Sequence, residues 1–452
     1  EILSLLDRTQ PPASGDIRQF DFPEVQTGTL PNGLDLKICV LPRLPIVSVN
    51  LFLRAGEGSL VEGRAGTAVL TGDALEGGTL KRSGSSLAEA LEGIGARLGV
   101  STGWEGTSIS VSVLADRLPE AFALLAEVTL EPDFPSVEVD RVREQQLAEI
   151  RQRSMDPSAL ASDEVSRRFY AEGLPYARPQ VGTESSISSV ARDQIRGYAE
   201  ACYRPGSGGL IVVGDVDPEQ IKSLSSEYFG SWIGSPSAVD NFRVDAQTRE
   251  RRVWILDRPG SVQSEVRLGH VGVARTTPNY LPLSIGNLLL GGTFTSRLNL
   301  NLRERNGFTY GVRSRFSFRS QPGPFQVSTA VGNEVTASAV REILSELESL
   351  VVDGVTREEV DAARDYAAGV FGLHLETAGQ IASRLNQILV YGLPDDYYHL
   401  YRDSIRSVST EEVTSAVKAH IRPDEVQVII VGDADSISGS VDALGLGPLE
   451  VV

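Results

Sequence analysis

Residues 290–318 read LGGTFTSRLNLNLRERNGFTYGVRSRFSF. Gly291 and Gly292 can break one element and let the backbone turn tightly. Ser296 suits the N-cap of a short helix in which Leu298 and Leu302, four apart, share a face. Asn306-Gly307 supplies the left-handed residue that ends such a helix. From Phe308 the apolar period becomes two. Tyr310, Val312, Ser314, Phe316 and Phe318 alternate with Thr309, Arg313, Arg315 and Arg319, which predicts a strand. Arg303 then lies late in the helix and Tyr310 early in the strand, on either side of a tight turn. A guanidinium and a phenol so placed can clamp a peptide carbonyl or carboxylate. An arginine facing solvent and a tyrosine lying on a sheet would satisfy the same spacing.

The glycine pair is also one tag of an internal repeat. Gly77-Gly78-Thr79 recurs as Gly291-Gly292-Thr293, an offset of 214 (291 − 77). Leu41-Pro-Arg43 recurs as Leu256-Asp-Arg258 at 215 (256 − 41), and Val213-Gly-Asp-Val-Asp217 as Val431-Gly-Asp-Ala-Asp435 at 218 (431 − 213). Three tags in one order at nearly one offset predict a duplicated α+β unit, far longer than a solenoid repeat. The expected halves are residues 1–235 and 236–452, joined through the weakly periodic stretch 230–249. Each is read as a large, mainly antiparallel sheet covered by helices, the two arranged as a clamshell.

Within the first half, Leu34–Leu41 and Ile46–Leu53 read as a strand pair and Gly66–Leu75 as a helix. Ser86–Leu98 has helical spacing through Leu87, Leu91, Ile94 and Leu98, with Gly99 as its stop. Thr107–Leu114 alternates as a half-buried strand. Leu118–Leu130 and Val137–Arg153 read as helices, and the tail Ser436–Gly447 as loop. The formal net charge of −18 leaves no basic excess to displace counterions from a nucleic acid, which disfavours that partner. No apolar run approaches the roughly 18 residues of a membrane span. Two cysteines, Cys39 and Cys202, make no disulfide framework. The chain begins at Glu1 and its one methionine is Met155, so an exported, periplasmic protein is expected, a cytoplasmic one being the alternative.

Two such halves, with Gly-Gly-Thr turns and Leu302-Arg-Glu304 ahead of Gly307-x-x-Tyr310, resemble the pitrilysin/insulysin family of zinc peptidases. The likeness is greatest to bacterial relatives of the mitochondrial processing peptidase. It extends through Thr29-Leu-Pro-Asn-Gly-Leu34, Arg54-Ala-Gly56, Gly66-Thr-Ala68 and Tyr203-Arg-Pro205, and so over nearly the whole chain. It implies that Arg303 and Tyr310 are the family's Arg/Tyr pair.

Catalytic members carry His-x-x-Glu-His on an early helix, two histidines binding zinc and the glutamate activating water. The collinear segment here is Gly66–Leu75, which puts Val69 at the first histidine, Gly72 at the glutamate and Asp73 at the second histidine. The third ligand, a glutamate roughly 76 residues on, matches Glu149 (149 − 73). The four histidines are His270, His374, His399 and His420, none in the first half and no two spaced to share a helix turn. An imidazole pair for zinc on one helix cannot be built. Gly-x-Ser-x-Gly is absent as well.

The resemblance therefore implies a non-catalytic subunit that binds no metal of its own. It would pair as a heterodimer with a homologous zinc-containing peptidase subunit and present Arg303 and Tyr310 to peptide substrates near the partner's zinc. The alternative is a structural or peptide-holding subunit, like the family's non-proteolytic core proteins.

Overall fold

The computed structural model describes residues 21–234 and 242–452; the expected boundary at 235/236 falls outside them. The first half forms strands β1 (Val25–Thr29), β2 (Asp35–Val40), β3 (Ile46–Leu53), β4 (Arg97–Thr102), β5 (Thr107–Leu114) and β6 (Gly208–Gly214). The second forms β7 (Arg252–Asp257), β8 (Gln263–Val271), β9 (Val312–Phe316), β10 (Pro324–Gly332), β11 (Gln427–Gly432) and β12 (Leu449–Val451). They make two six-stranded sheets, β1-β2-β6-β3-β5-β4 and β12-β7-β11-β8-β10-β9.

Without β1 and β12 the two orders are the same, and so are the directions. β2/β6 and β7/β11 are parallel, while the remaining pairs of this common core are antiparallel. The outermost strand on one side is recruited differently. β1 folds back antiparallel onto β2 across the Leu30–Gly33 turn, whereas β12 arrives from the C-terminus and runs parallel to β7. The repeat seen in the tags is thus a repeat of topology.

The structure revises several local readings. β2 and β3 do not pair, because the apolar β6 lies between them, buried along nearly its whole length as a central strand must be. The helix expected over Ser86–Leu98 spans Gly84–Gly93; Gly95 turns the chain at φ +66°, and the following residues form β4 with Gly99 inside it. The strand read from Phe308 begins at Val312, which leaves Tyr310 in the preceding loop. The C-terminal stretch read as loop holds a helix, Ala434–Asp442. No disulfide joins Cys39 and Cys202.

One face of each sheet packs on helices of its own half. The other face is covered by the opposite half. Phe169, Val165 and Ala161 of the helix Pro157–Phe169 bury against Trp254, Ile429 and Val431 of the second sheet. Reciprocally, Ile381, Leu385, Ile388 and Leu389 of the helix Ala378–Tyr391 bury against Cys39, Phe52, Ile211 and Val213 of the first. Polar links reinforce this exchange: Arg54 Nη1 donates to Val390 O (2.9 Å), Arg267 Nη2 to Ser158 Oγ (2.7 Å), and Ser320 N to Glu105 Oε1 (2.9 Å). The Arg319 guanidinium lies over the rings of Trp104 and Tyr176, 4.7 and 4.4 Å from their centres.

Candidate functional site

Each half has a corner where a short helix meets the free edge strand of its sheet. In the first half the helix is Thr67–Ala74 and the edge strand is β4. The chain enters this helix through Gly66 at φ +82°. Its first amides are held by Glu57, whose fully buried carboxylate accepts from Gly66 N (2.9 Å), Ala68 N (2.8 Å) and Val69 N (3.2 Å). A carboxylate at a helix N-terminus meets both free N–H groups and the positive end of the dipole. Arg178 pairs with the same carboxylate at 3.0 Å and also donates to Leu60 O at 2.7 Å. Burial pushes the Glu57 carboxyl up, and Arg178 and the amides pull it back down.

This well-anchored helix does not display a zinc set. Val69 is aliphatic and half-buried. Gly72 lies hard against β4: a Cβ there would come within 2.4 Å of Thr102 Oγ1 and 3.3 Å of Val100 Cγ1, so a glutamate side chain fits only if the Thr102 side chain gives way. Asp73 reaches solvent, yet its carboxyl is pushed up to about 6 by desolvation in its crowded surroundings and then by Glu149 and Glu76. Glu149, on the helix Ser136–Met155, is exposed. Among the described residues no group of three or more His, Cys, Asp or Glu side chains is placed to hold a metal ion. A valine, a glycine filled in by Thr102 and two mutually repelling carboxylates do not fit a catalytic zinc.

The second-half corner has the same parts and a different chemistry. The helix Tyr280–Asn287 widens into a π-type turn, Leu288–Gly292, which lies against the edge strand β9. A Cβ on Gly291 would come within 2.6 Å of Ser314 N, so the close approach requires glycine. Ser314 Oγ donates to Asn287 Oδ1 at 2.9 Å. The helix predicted after Ser296 begins as expected at Arg297 and likewise widens into a π-type turn, Leu300–Arg305, a form frequent at functional sites. Leu298 and Leu302 are fully buried, as their spacing predicts. Ser296 stands at the N-cap but accepts from Asn299 Nδ2 (3.1 Å) rather than from the backbone. Asn299, also buried, bonds both backbone groups of Val312, with Nδ2 donating to O (2.9 Å) and Oδ1 accepting from N (3.2 Å). It thereby fastens the helix to the start of β9. Gly307 closes the segment at φ +64°.

Arg303 and Tyr310 line one cavity of about 530 Å³ together with Gln263, Glu304 and Thr309. The Arg303 guanidinium stacks on Phe294, 3.8 Å from the ring centre, and is 3.5 Å from Glu304 Oε1. Tyr310 is 98% exposed, an unusual state for a large ring. Its neighbours hold the loop in place: Thr309 Oγ1 donates to Ala330 O (2.8 Å), and Thr329 Oγ1 to Gly311 O (3.0 Å). Sequence spacing brought out the arginine and the tyrosine. It did not bring out Phe294, Asn299 or Thr102, whose roles arise from approaches between separate segments. The Gly-Gly-Thr tag was the only local hint that the chain makes such an approach.

The insulinase (peptidase family M16) profile matches residues 41–183, and the peptidase M16 inactive domain profile matches residues 189–366. The chain is 30% identical over 409 residues to a Mycobacterium tuberculosis protein named an uncharacterized zinc protease, spanning 89% of this chain and 92% of that one. It is 25% identical over 398 residues to a Helicobacter pylori protein named a non-peptidase homolog, spanning 86% and 90%. The solved peptidase M16 inactive domain of Pseudomonas fluorescens superposes with a TM-score of 0.85 at 26% identity, covering 91% of this chain and 98% of that one. A protease from Helicobacter pylori shares the fold at a TM-score of 0.83 and 18% identity, over 91% and 99%. The chain belongs to the insulinase, or M16, peptidase family.

Proposed function

We propose that this M16 chain is the non-catalytic, substrate-binding half of a heterodimeric zinc peptidase, active in an exported, periplasmic setting. The homologous partner would bring the zinc. This chain would bring Arg303 and Tyr310, hydrogen-bond donors that hold and polarise substrate carbonyls within the chamber the two subunits enclose. The observation that carries the reading is the contrast between the two corners. The family's metal positions hold a valine, a glycine and two carboxylates, which together make no catalytic zinc set, while Arg303 and Tyr310, at its Arg/Tyr positions, face one open cavity. Phe294 beneath Arg303 fixes the guanidinium plane without consuming its donors.

The test is peptide cleavage by the reconstituted pair. An oriented donor at an acyl-transfer site is worth roughly 2.7–4 kcal/mol, so Arg303→Ala should lower kcat by about 100-fold or more. The partner's zinc content should not change. Unchanged turnover in that variant would remove Arg303 from the reaction and leave the structural, peptide-holding role. Cleavage by this chain alone that a chelator abolishes would refute the division of labour altogether.

A further inference from the structure

We propose that the cavity beside β9 binds an extended acidic peptide, whose carboxylates at alternate positions pair with Arg313 and Arg315. The inference deepens the peptide-binding reading above by naming the class of peptide, but it requires neither partner nor zinc.

Among the described residues β9 is the last strand of its sheet and pairs with β10 alone. In that register Arg315 stands opposite Gln326 and Arg313 opposite Ser328, so the four side chains share one face. All four line a cavity of about 810 Å³, with Ser162 of the helix donated by the first half forming part of its wall. Among the described residues no carboxylate, lysine or histidine lines this cavity, and the charges there are the two guanidiniums. The setting makes this notable, since the chain carries a formal net charge of −18. Both arginines are exposed, and neither has a hydrogen-bond or ion-pair partner among the described residues. Elsewhere in the protein the arginines Arg178, Arg297 and Arg364 are each paired with a carboxylate.

The spacing argues for a peptide rather than a compact anion. Two strand residues i and i+2 lie about 6.6 Å apart along the strand, the same repeat as alternate side chains of an extended ligand. The backbone is suitably directed as well. Ser317 N donates to Pro324 O on the β10 side, and the Val312 amide and carbonyl face the other way, toward Asn299. Alternation then turns the backbone groups of Ser314 and Phe316 away from β10; Gly291 crowds the Ser314 amide, which leaves the end of the edge at Phe316 as the place where a strand can be added. Charged side chains on an edge strand can also serve to discourage pairing, and that role predicts no peptide preference.

Fluorescence anisotropy on the full chain by itself separates these cases. The probes are a labelled octapeptide alternating Glu with Thr or Val, and the same peptide with Gln for Glu. The glutamate peptide is expected to bind at least about tenfold more tightly. The double variant Arg313→Gln/Arg315→Gln should abolish that difference, and Arg313→Lys/Arg315→Lys should retain it. Arg305→Gln, an exposed arginine outside the cavity, should leave it unchanged. Equal binding of the two peptides, no binding of either, or a preference that survives the glutamine variant would overturn the proposal. The peptide comparison on the unaltered chain stands even if a variant fails to fold. Loss of the Arg303 effect on turnover would leave this binding result intact, and absence of binding here would leave the Arg303 test intact.

Discussion

The two helix-to-edge corners follow one plan and display different chemistry. In the first half, Gly72 brings the helix so close to Thr102 that the Thr102 hydroxyl fills the space a side chain would take. In the second, Gly291 brings a widened turn against Ser314, but the polar groups around it remain open to a cavity. The first helix is anchored by a buried ion pair and displays a single carboxylate, Asp73, and no histidine. The second is fastened by the amides of Asn299 and displays Arg303, while the loop after it displays Tyr310. The comparison teaches that a lost catalytic motif need not mean a relaxed structure: the scaffold under it is still fully built.

If that is so, the largest effect comes from removing the anchor. Glu57→Gln leaves Arg178 buried without its countercharge and should cost about 3–5 kcal/mol, read as the shift of a denaturant unfolding curve. A small shift would mean that the first corner has relaxed after all. Rebuilding the motif sharpens the same contrast. The triple variant Val69→His/Gly72→Glu/Asp73→His should lose about 1–3 kcal/mol through overpacking against Thr102. It should also retain no stoichiometric zinc after dialysis, by metal analysis. Adding Thr102→Ala should recover part of the stability; zinc retained without it would show that β4 yields easily.

On the other side, Asn299→Ala leaves the Val312 amide and carbonyl without their partner. It should cost about 1–3 kcal/mol in thermal unfolding and weaken Arg303-dependent turnover through misplacement of the segment. The smallest effect is electrostatic. The folded value of Asp73, about 6, lies above its ordinary value of 3.8, so the unfolded chain ionises first and stability falls as pH rises from roughly 4 to 6. Asp73→Asn should flatten that fall. The change should be less than about 1 kcal/mol, since the side chain reaches solvent and its repulsion from Glu149 is screened. A stability profile unaltered by the substitution would mean that Asp73 has no acidic neighbourhood to escape.

How much of this was legible beforehand differs by feature. The switch from helical to alternating period after Arg303 is carried by neighbours in the chain, so Arg303 and Tyr310 could be singled out from spacing. The start of β9 was misplaced by a few residues because Phe308 and Tyr310 continue the alternation without joining the ladder. The first two residues of β4 were read as the end of a helix for a similar reason. Leu91, Ile94 and Leu98 keep a helical interval, and only the pairing of Arg97–Thr102 with β5 decides the matter. The domain repeat was visible in three short tags, yet the insertion of β6 between β2 and β3 was not, since a strand's neighbours are chosen by closure of the whole sheet.

The order of residues alone determined that no one helix carries a histidine pair spaced for zinc, that the chain is a duplicated α+β unit, and that an arginine and a tyrosine flank one turn. Those are matters of inventory and of interval. Tertiary structure decided that each half lends a helix to the other's sheet, that Thr102 occupies the space beside Gly72, and that Arg313 and Arg315 share a cavity free of carboxylates. An amphipathic helix declares that it must cover something apolar, but not what. Which surface it covers depends on distant segments folding first into a matching shape.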